Sequence, residues 1–146
     1  MSPESEHLIR ESWEQLRPIS DTVVKAFYER LFESNPELAK LFDTTDMAEQ
    51  RRKFIVMMSE IVRVLDQPET LVSETADSGR RHVHYGVRDR DYDDVGAALL
   101  WAIGDALGEK ATPQVKAAWR EAYDLLAAVM RRAAMRESGA HGITQS

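Results

Sequence analysis

Two histidines, one tyrosine and one glutamine carry the chain's most informative chemistry. His82 and His84 sit in the string GRRHVHYGV. A neutral imidazole there can ligate a metal through one ring nitrogen while the other donates to a neighbour. Residues two apart on a helix point to different faces, so the pair does not share a metal and at most one of them is a ligand. By residue type alone His82 stays open between a ligand and a structural or surface imidazole. His7 and His141 lie near the ends and read as surface. Tyr28 follows Phe27 beside an apolar stripe, and Gln50 lies in the segment with Met47, Phe54 and Met58. Each has an ordinary reading, a tyrosine at a core edge and a glutamine on a helix surface. Together they offer a hydroxyl and an amide donor to a polar ligand.

Other chemistries lack their residues. There is no HExxH string, no carboxylate cluster at ligand spacing and no GxSxG. The absence of cysteine excludes a thiol nucleophile, a Cys-ligated zinc, an iron–sulfur cluster and a disulfide framework. Gly104 and Gly108 lie in or at the end of an apolar helix, not on a strand-to-helix turn, so they hold no phosphate; their spacing predicts a close helix crossing.

The elements that must position these residues are helices. Apolar residues recur at helical spacing in Ile9, Trp13 and Leu16, then in Val24, Phe27 and Leu31, then in Phe54, Met58, Ile61 and Leu65. The strongest pair is Tyr92, Val95, Leu99, Ala102 and Ile103 with Val115, Trp119, Ala122 and Leu126. Ser2-Pro3, Asn35-Pro36, Gln67-Pro68 and Thr112-Pro113 each read as a polar N-cap before a first-turn proline. Gly86 and Gly108 follow helical stretches as C-terminal caps. The reading is all-α, with helices at about 3–17, 21–34, 36–42, 46–65, 68–84, 91–107 and 113–136.

Its 146 residues and 43% apolar content fit one globular domain, 1–136, followed by a disordered tail, 137–146. The net charge of −6 argues against a nucleic-acid or anionic membrane surface. MSPESEHLIR is too polar for a signal peptide, and the longest apolar run, Val95 to Ile103, is about half a membrane span. The expectation is a soluble, cytoplasmic chain.

Four strings in order resemble the globins, in particular the bacterial single-domain haemoglobins related to the haem domain of flavohaemoglobins, and also neuroglobin-like globins. FYERLFESNPELAKLF resembles the family's second helix and following turn, EQRRKF the start of the distal helix, GRRHVHYGVRDRDYDDVG the proximal helix and corner, and AAWREAYDLLAAVM the last helix. The match covers about residues 5–135, with 14 residues from Tyr28 to Phe42 and 32 from Gln50 to His82. The resemblance implies a globin fold of about seven helices around one buried haem. It implies His82 as the proximal iron ligand, Tyr28 and Gln50 as the distal pair, Phe42 on the porphyrin face and Phe54 one turn after Gln50. Val87, Tyr92 and Val95 are its haem-edge contacts, and Lys53 and Arg81 its candidates for the propionates. Without cysteine there is no thioether link, so the cofactor is haem b, iron protoporphyrin IX.

The distal pair sets the expected ligand chemistry. Oxygen on ferrous haem gains negative charge and accepts hydrogen bonds, whereas carbon monoxide stays nearly neutral. A hydrogen bond to a charged group contributes about 1.5–3 kcal/mol, or roughly 10- to 150-fold in oxygen retention. The resemblance therefore implies reversible binding of oxygen, and of carbon monoxide and nitric oxide, by a carrier or store. Nitric oxide dioxygenase with an external reductase, or a gas sensor, is the alternative. The family's proximal glutamate falls on Ala134, which implies a less basic imidazole donating to a carbonyl near Ser78. The flavin and nicotinamide domains of a flavohaemoglobin would need a few hundred more residues, so the reductase is expected to be external. With no distal histidine, the ferric sixth ligand is expected to be water or hydroxide, or the Tyr28 phenolate.

Overall fold

The structure is a computed structural model. It describes the backbone of all residues but Tyr85 and Ser146, and the side chains of all but residues 82–85 and 137–146. Among the described residues seven α-helices follow one another: α1 (Pro3–Leu16), α2 (Ser20–Ser34), α3 (Pro36–Lys40), α4 (Met47–Arg63), α5 (Pro68–His84), α6 (Asp91–Leu107) and α7 (Pro113–Gln145). The described residues contain no strand. Short 3₁₀ turns, Arg17–Ile19 and Gly108–Lys110, join α1 to α2 and follow α6. The tail expected at 137–146 lies outside the residues whose side chains are described.

The caps are made as their chemistry requires. The Ser2 hydroxyl accepts from the Ser5 N–H at 3.1 Å, the Asn35 carbonyl from the Leu38 N–H at 2.9 Å, and the Thr112 hydroxyl from the Val115 N–H at 3.2 Å. Two helices end two residues earlier than the sequence reading has them. Helix α3 stops at Lys40, and Leu41 and Phe42 continue as tighter turns onto the carbonyls of Leu38 and Ala39. Helix α4 stops at Arg63, where the Val64 N–H is shared between Glu60 and Ile61. Both ends tighten toward i→i−3 bonds, which hydrophobic spacing does not register.

The core forms where the apolar stripes meet. Ile9, Trp13 and Leu16 of α1, Phe27 and Leu31 of α2, Ala102 and Ile103 of α6 and Trp119 of α7 are all buried in one cluster. The buried Trp119 indole donates to the Ser12 hydroxyl at 2.9 Å, which in turn donates to the Leu8 carbonyl. Helices α5 and α7 make the most extensive helix–helix packing. Gly79 permits it, because a Cβ there would lie 2.6 Å from the Met130 carbonyl oxygen and 2.7 Å from the Met130 Cα. Backbone atoms cannot step aside as a side chain can. Gly79→Ala is therefore expected to destabilise the fold by about 1–3 kcal/mol despite alanine's better helix propensity. Urea unfolding measures it, and an unchanged midpoint would refute the packing account.

The close crossing expected at Gly104 and Gly108 is elsewhere. A Cβ on Gly104 would meet only the Lys116 Cε, at 3.7 Å, and one on Gly108 nothing within 4 Å. The tight approaches are at Gly79 and at Gly96, the latter against the Tyr123 ring. Gly108 is explained by its φ of 57°, as the helix-ending glycine.

Candidate functional site

Helix α2 buries Val24, Phe27 and Leu31 in the core, and Tyr28, one residue on from Phe27, turns toward α4. Its ring is enclosed by aromatic neighbours, with centroids 4.8 Å from Phe27, 5.6 Å from Phe32, 5.8 Å from Phe42 and 5.9 Å from Phe54. Helix α4 starts at Asp46, whose carboxylate accepts from the N–H groups of Ala48 and Glu49. That start places Gln50 in the first turn and Phe54 one turn later. The Gln50 amide donates to the Tyr28 hydroxyl oxygen at 3.1 Å. The tyrosine's own proton finds no acceptor among the described residues. Burial raises the Tyr28 pKa and the Gln50 hydrogen bond opposes this, with the net shift upward. Tyr28 is therefore a neutral donor at neutral pH.

The other side is built by the end of α5, the corner after it and the start of α6. His82 lies in the last turn of α5, and its side chain is outside the described residues. Gly86 turns the chain with a φ of 89° and faces the Leu41 side chain, next to Phe42. Val87 and Val95 are half-buried against the core, and Tyr92 is buried. From α7 the Arg131 guanidinium lies 5.4 Å from the Tyr92 ring centroid, and the Tyr123 hydroxyl donates to the Tyr92 carbonyl. Ala134, one turn beyond Arg131, is half-buried. Lys53 and Arg81 are exposed, and among the described residues neither is in an ion pair, whereas Arg51 pairs with Asp21 and Arg52 with Glu49.

Sequence reasoning missed the group that fixes the α5–α6 corner. Asp91 is 1% exposed. Its carboxylate accepts from the Arg88 N–H at 2.7 Å, from the Arg88 guanidinium at 3.0 and 3.2 Å and from the Asn35 amide at 2.9 Å. The Asn35 amide also donates to Asp94 at 2.9 Å. The run RDRDYDD signals an acidic helix start, but not that one carboxylate is buried. Burial alone would push Asp91 up; the Arg88 and Asn35 donors outweigh it and hold its carboxyl below the usual range. A depressed folded pKa adds stability that is present above the unfolded value of about 3.9 and lost as pH falls through the folded value. Asp91→Ala should cost roughly 1–3 kcal/mol at pH 7 by stranding its donors. The difference from the parent should shrink toward pH 3, as urea titrations at the two pH values would show. A pH-independent difference would refute the charge account.

The aromatic cluster of Phe32, Phe42 and Phe54 surrounds a buried hydroxyl with an unclaimed proton. Three of the large apolar side chains here, Phe42, Phe54 and Val87, remain only half-buried. An apolar wall not fully covered by the chain, with one directed polar donor, fits a flat apolar group that carries a small polar ligand. Among the described residues no cluster of three or more His, Asp or Glu is placed to hold a bare metal ion.

Fold and site together define a globin. The globin family model matches residues 25–130, and the chain belongs to that family, which implies haem as its prosthetic group. The flavohemoprotein of Bacillus subtilis is 30% identical over 122 residues, 82% of this chain and 31% of that protein. The flavohemoprotein of Bordetella pertussis is 31% identical, over 87% of this chain and 32% of its own. The chain thus spans about a third of the length of these relatives. Among solved structures, an engineered carbene transferase made from a Rhodothermus marinus protein provisionally assigned as a nitric oxide dioxygenase superposes with a TM-score of 0.83. It is 27% identical and covers 100% of this chain and 99% of that one. A hexacoordinated haem protein from an anhydrobiotic tardigrade shares the fold, with a TM-score of 0.82 at 15% identity over 92% of this chain and 96% of its own. Among the described residues no helix is long and apolar enough to cross a membrane.

Proposed function

We propose that the chain holds one haem b and binds oxygen reversibly, as a carrier or store, with His82 as the axial protein ligand. The observation that carries this reading is the Tyr28–Gln50 hydrogen bond, which leaves the buried Tyr28 proton as the donor to a ligand. Bound haem supplies the iron at which a diatomic gas binds. The chain's residues set the rest. Gln50 occupies the Tyr28 oxygen and so orients the hydroxyl proton away from itself. Phe42 and Phe54 would present apolar rings to the porphyrin and exclude water, and Val87, Tyr92 and Val95 would pack its edge. Lys53 and Arg81, in no ion pair among the described residues, would serve the two propionates. On this reading His82 would donate from its second nitrogen to a backbone carbonyl one turn earlier, near Ser78. With Ala134 in the family's glutamate position, no carboxylate makes that imidazole more basic.

A second reading is favoured by the flavohemoprotein matches and the Rhodothermus marinus neighbour. In it the same site is a nitric oxide dioxygenase, oxidising nitric oxide to nitrate with an external reductase restoring ferrous iron. Absorption spectra of the purified chain, ferric, ferrous and with carbon monoxide, test the haem assignment. The carrier reading expects no bis-histidine ferric spectrum, and one stoichiometric turnover of the oxygenated protein with nitric oxide. Sustained nitrate production should require an added reductase. Rapid turnover with a nicotinamide donor and no second protein would overturn the carrier reading.

A further inference from the structure

A second concavity shares no residue with the site described. It is an open groove of about 560 Å³ between the C-terminal half of α6 and the N-terminal half of α7, within the usual size range of small-ligand sites. Ile103, Leu107, Val115 and Trp119 are buried beneath it. Trp101 forms one wall and stays 40% exposed, with the Arg30 guanidinium 4.5 Å from its ring centroid. The charged lining residues are Lys116, Arg120 and Asp105. Arg120 is tied to Asp124 at 3.4 Å, whereas Lys116 is in no ion pair among the described residues. This face therefore offers an unneutralised cation beside apolar surface, on a chain whose net charge is −6.

Gly104 lines the same groove and has no other explanation. Glycine weakens a helix interior relative to alanine, so its presence needs a reason. Gly86 and Gly108 have positive φ, and Gly79 and Gly96 touch neighbours too closely for a Cβ. Gly104 has neither property; its Cβ would meet only the flexible stem of Lys116. What the missing side chain does is keep the groove open.

We infer that this groove binds a medium-chain fatty carboxylate, its chain along the apolar floor and its carboxylate at Lys116. Leu100 to Leu107, which bound the groove along α6, span about 10 Å of helix, room for a chain of medium length. Calorimetric titration of the full-length, haem-loaded chain with monomeric sodium decanoate tests it. Binding should be saturable and one-to-one, and should weaken about three- to fourfold for each methylene removed. Lys116→Glu should weaken decanoate at least tenfold while leaving uncharged decanol unchanged. Gly104→Leu, which fills the groove and improves helix propensity, should weaken both at least tenfold with the helical circular dichroism retained. Unaltered decanoate binding by both variants would overturn the proposal, and so would a shift of the haem absorption band on binding, which would put the ligand in the haem site. A dimer of the parent chain that Gly104→Leu converts to monomer would assign the groove to a second copy instead.

Discussion

Tyr28→Phe is expected to raise the oxygen dissociation rate by about 10- to 100-fold while changing carbon monoxide release far less. The substitution keeps the ring and its contacts with Phe27, Phe32, Phe42 and Phe54, so packing is preserved. What it removes is the hydroxyl proton that the proposed reading gives to the ligand, and the oxygen that accepts from the Gln50 amide. Oxygen, as an acceptor with negative character, loses a charge-assisted bond; carbon monoxide has little to lose. Because the Tyr28 pKa is raised, chiefly by burial, the donor persists across neutral pH and retention should be flat there. A raised folded pKa also means that Tyr28's share of stability is whole below about pH 10 and is lost as pH rises through the folded value. Gln50→Leu should have a smaller effect, and the double variant should not equal the sum, since the two groups form one network. Stopped-flow displacement of oxygen by carbon monoxide measures all three. Equal rates for Tyr28→Phe and the parent would remove Tyr28 from the ligand's environment.

The helices were legible because each carries its own signals. Four prolines after polar residues mark helix starts, and three of the four preceding side chains make the expected cap. The core residues Phe27, Ile103 and Trp119 follow from spacing alone, because burial on a helix is periodic. The pairing of Tyr28 with Gln50 was legible only through the family resemblance; they are 22 residues apart on separate helices, and no local rule joins them. Asp91 and Arg131 were not legible. Their roles depend on which helix arrives from across the fold, and a sequence shows the charge of RDRDYDD but not which carboxylate is enclosed. The glycines show the same limit. Gly79, Gly96 and Gly104 look alike in a string, yet two are required by a neighbour's atoms and the third would meet only the flexible stem of Lys116. The GxxxG spacing pointed to the wrong one because it encodes proximity along one helix, not the partner that would use it.

His82→Ala is expected to abolish stable haem retention, and His84→Ala to leave it nearly unchanged. Register on α5 separates the two histidines. The buried row of that helix runs Leu71, Thr75, Ser78, at steps of four and three. The next position in that row is 82. The exposed row runs Ser73, Asp77, Arg80, and its next position is 84. Residues two apart on a helix are about 200° apart around its axis, so both cannot serve one iron. On the proposed reading His82→Ala removes the iron's protein ligand, which costs more than losing a group behind it, so haem affinity should fall more than about a hundredfold. Haem transfer to an apoprotein acceptor measures the loss, and urea unfolding of the haem-free chains checks that neither substitution harms the fold itself. Exogenous imidazole should restore a five-coordinate ferrous spectrum to His82→Ala, because a free base can occupy the place of the missing side chain. If instead His84→Ala loses haem and His82→Ala keeps it, the register is wrong by two residues, and the assignments of Val87, Tyr92 and Val95, counted from His82, move with it.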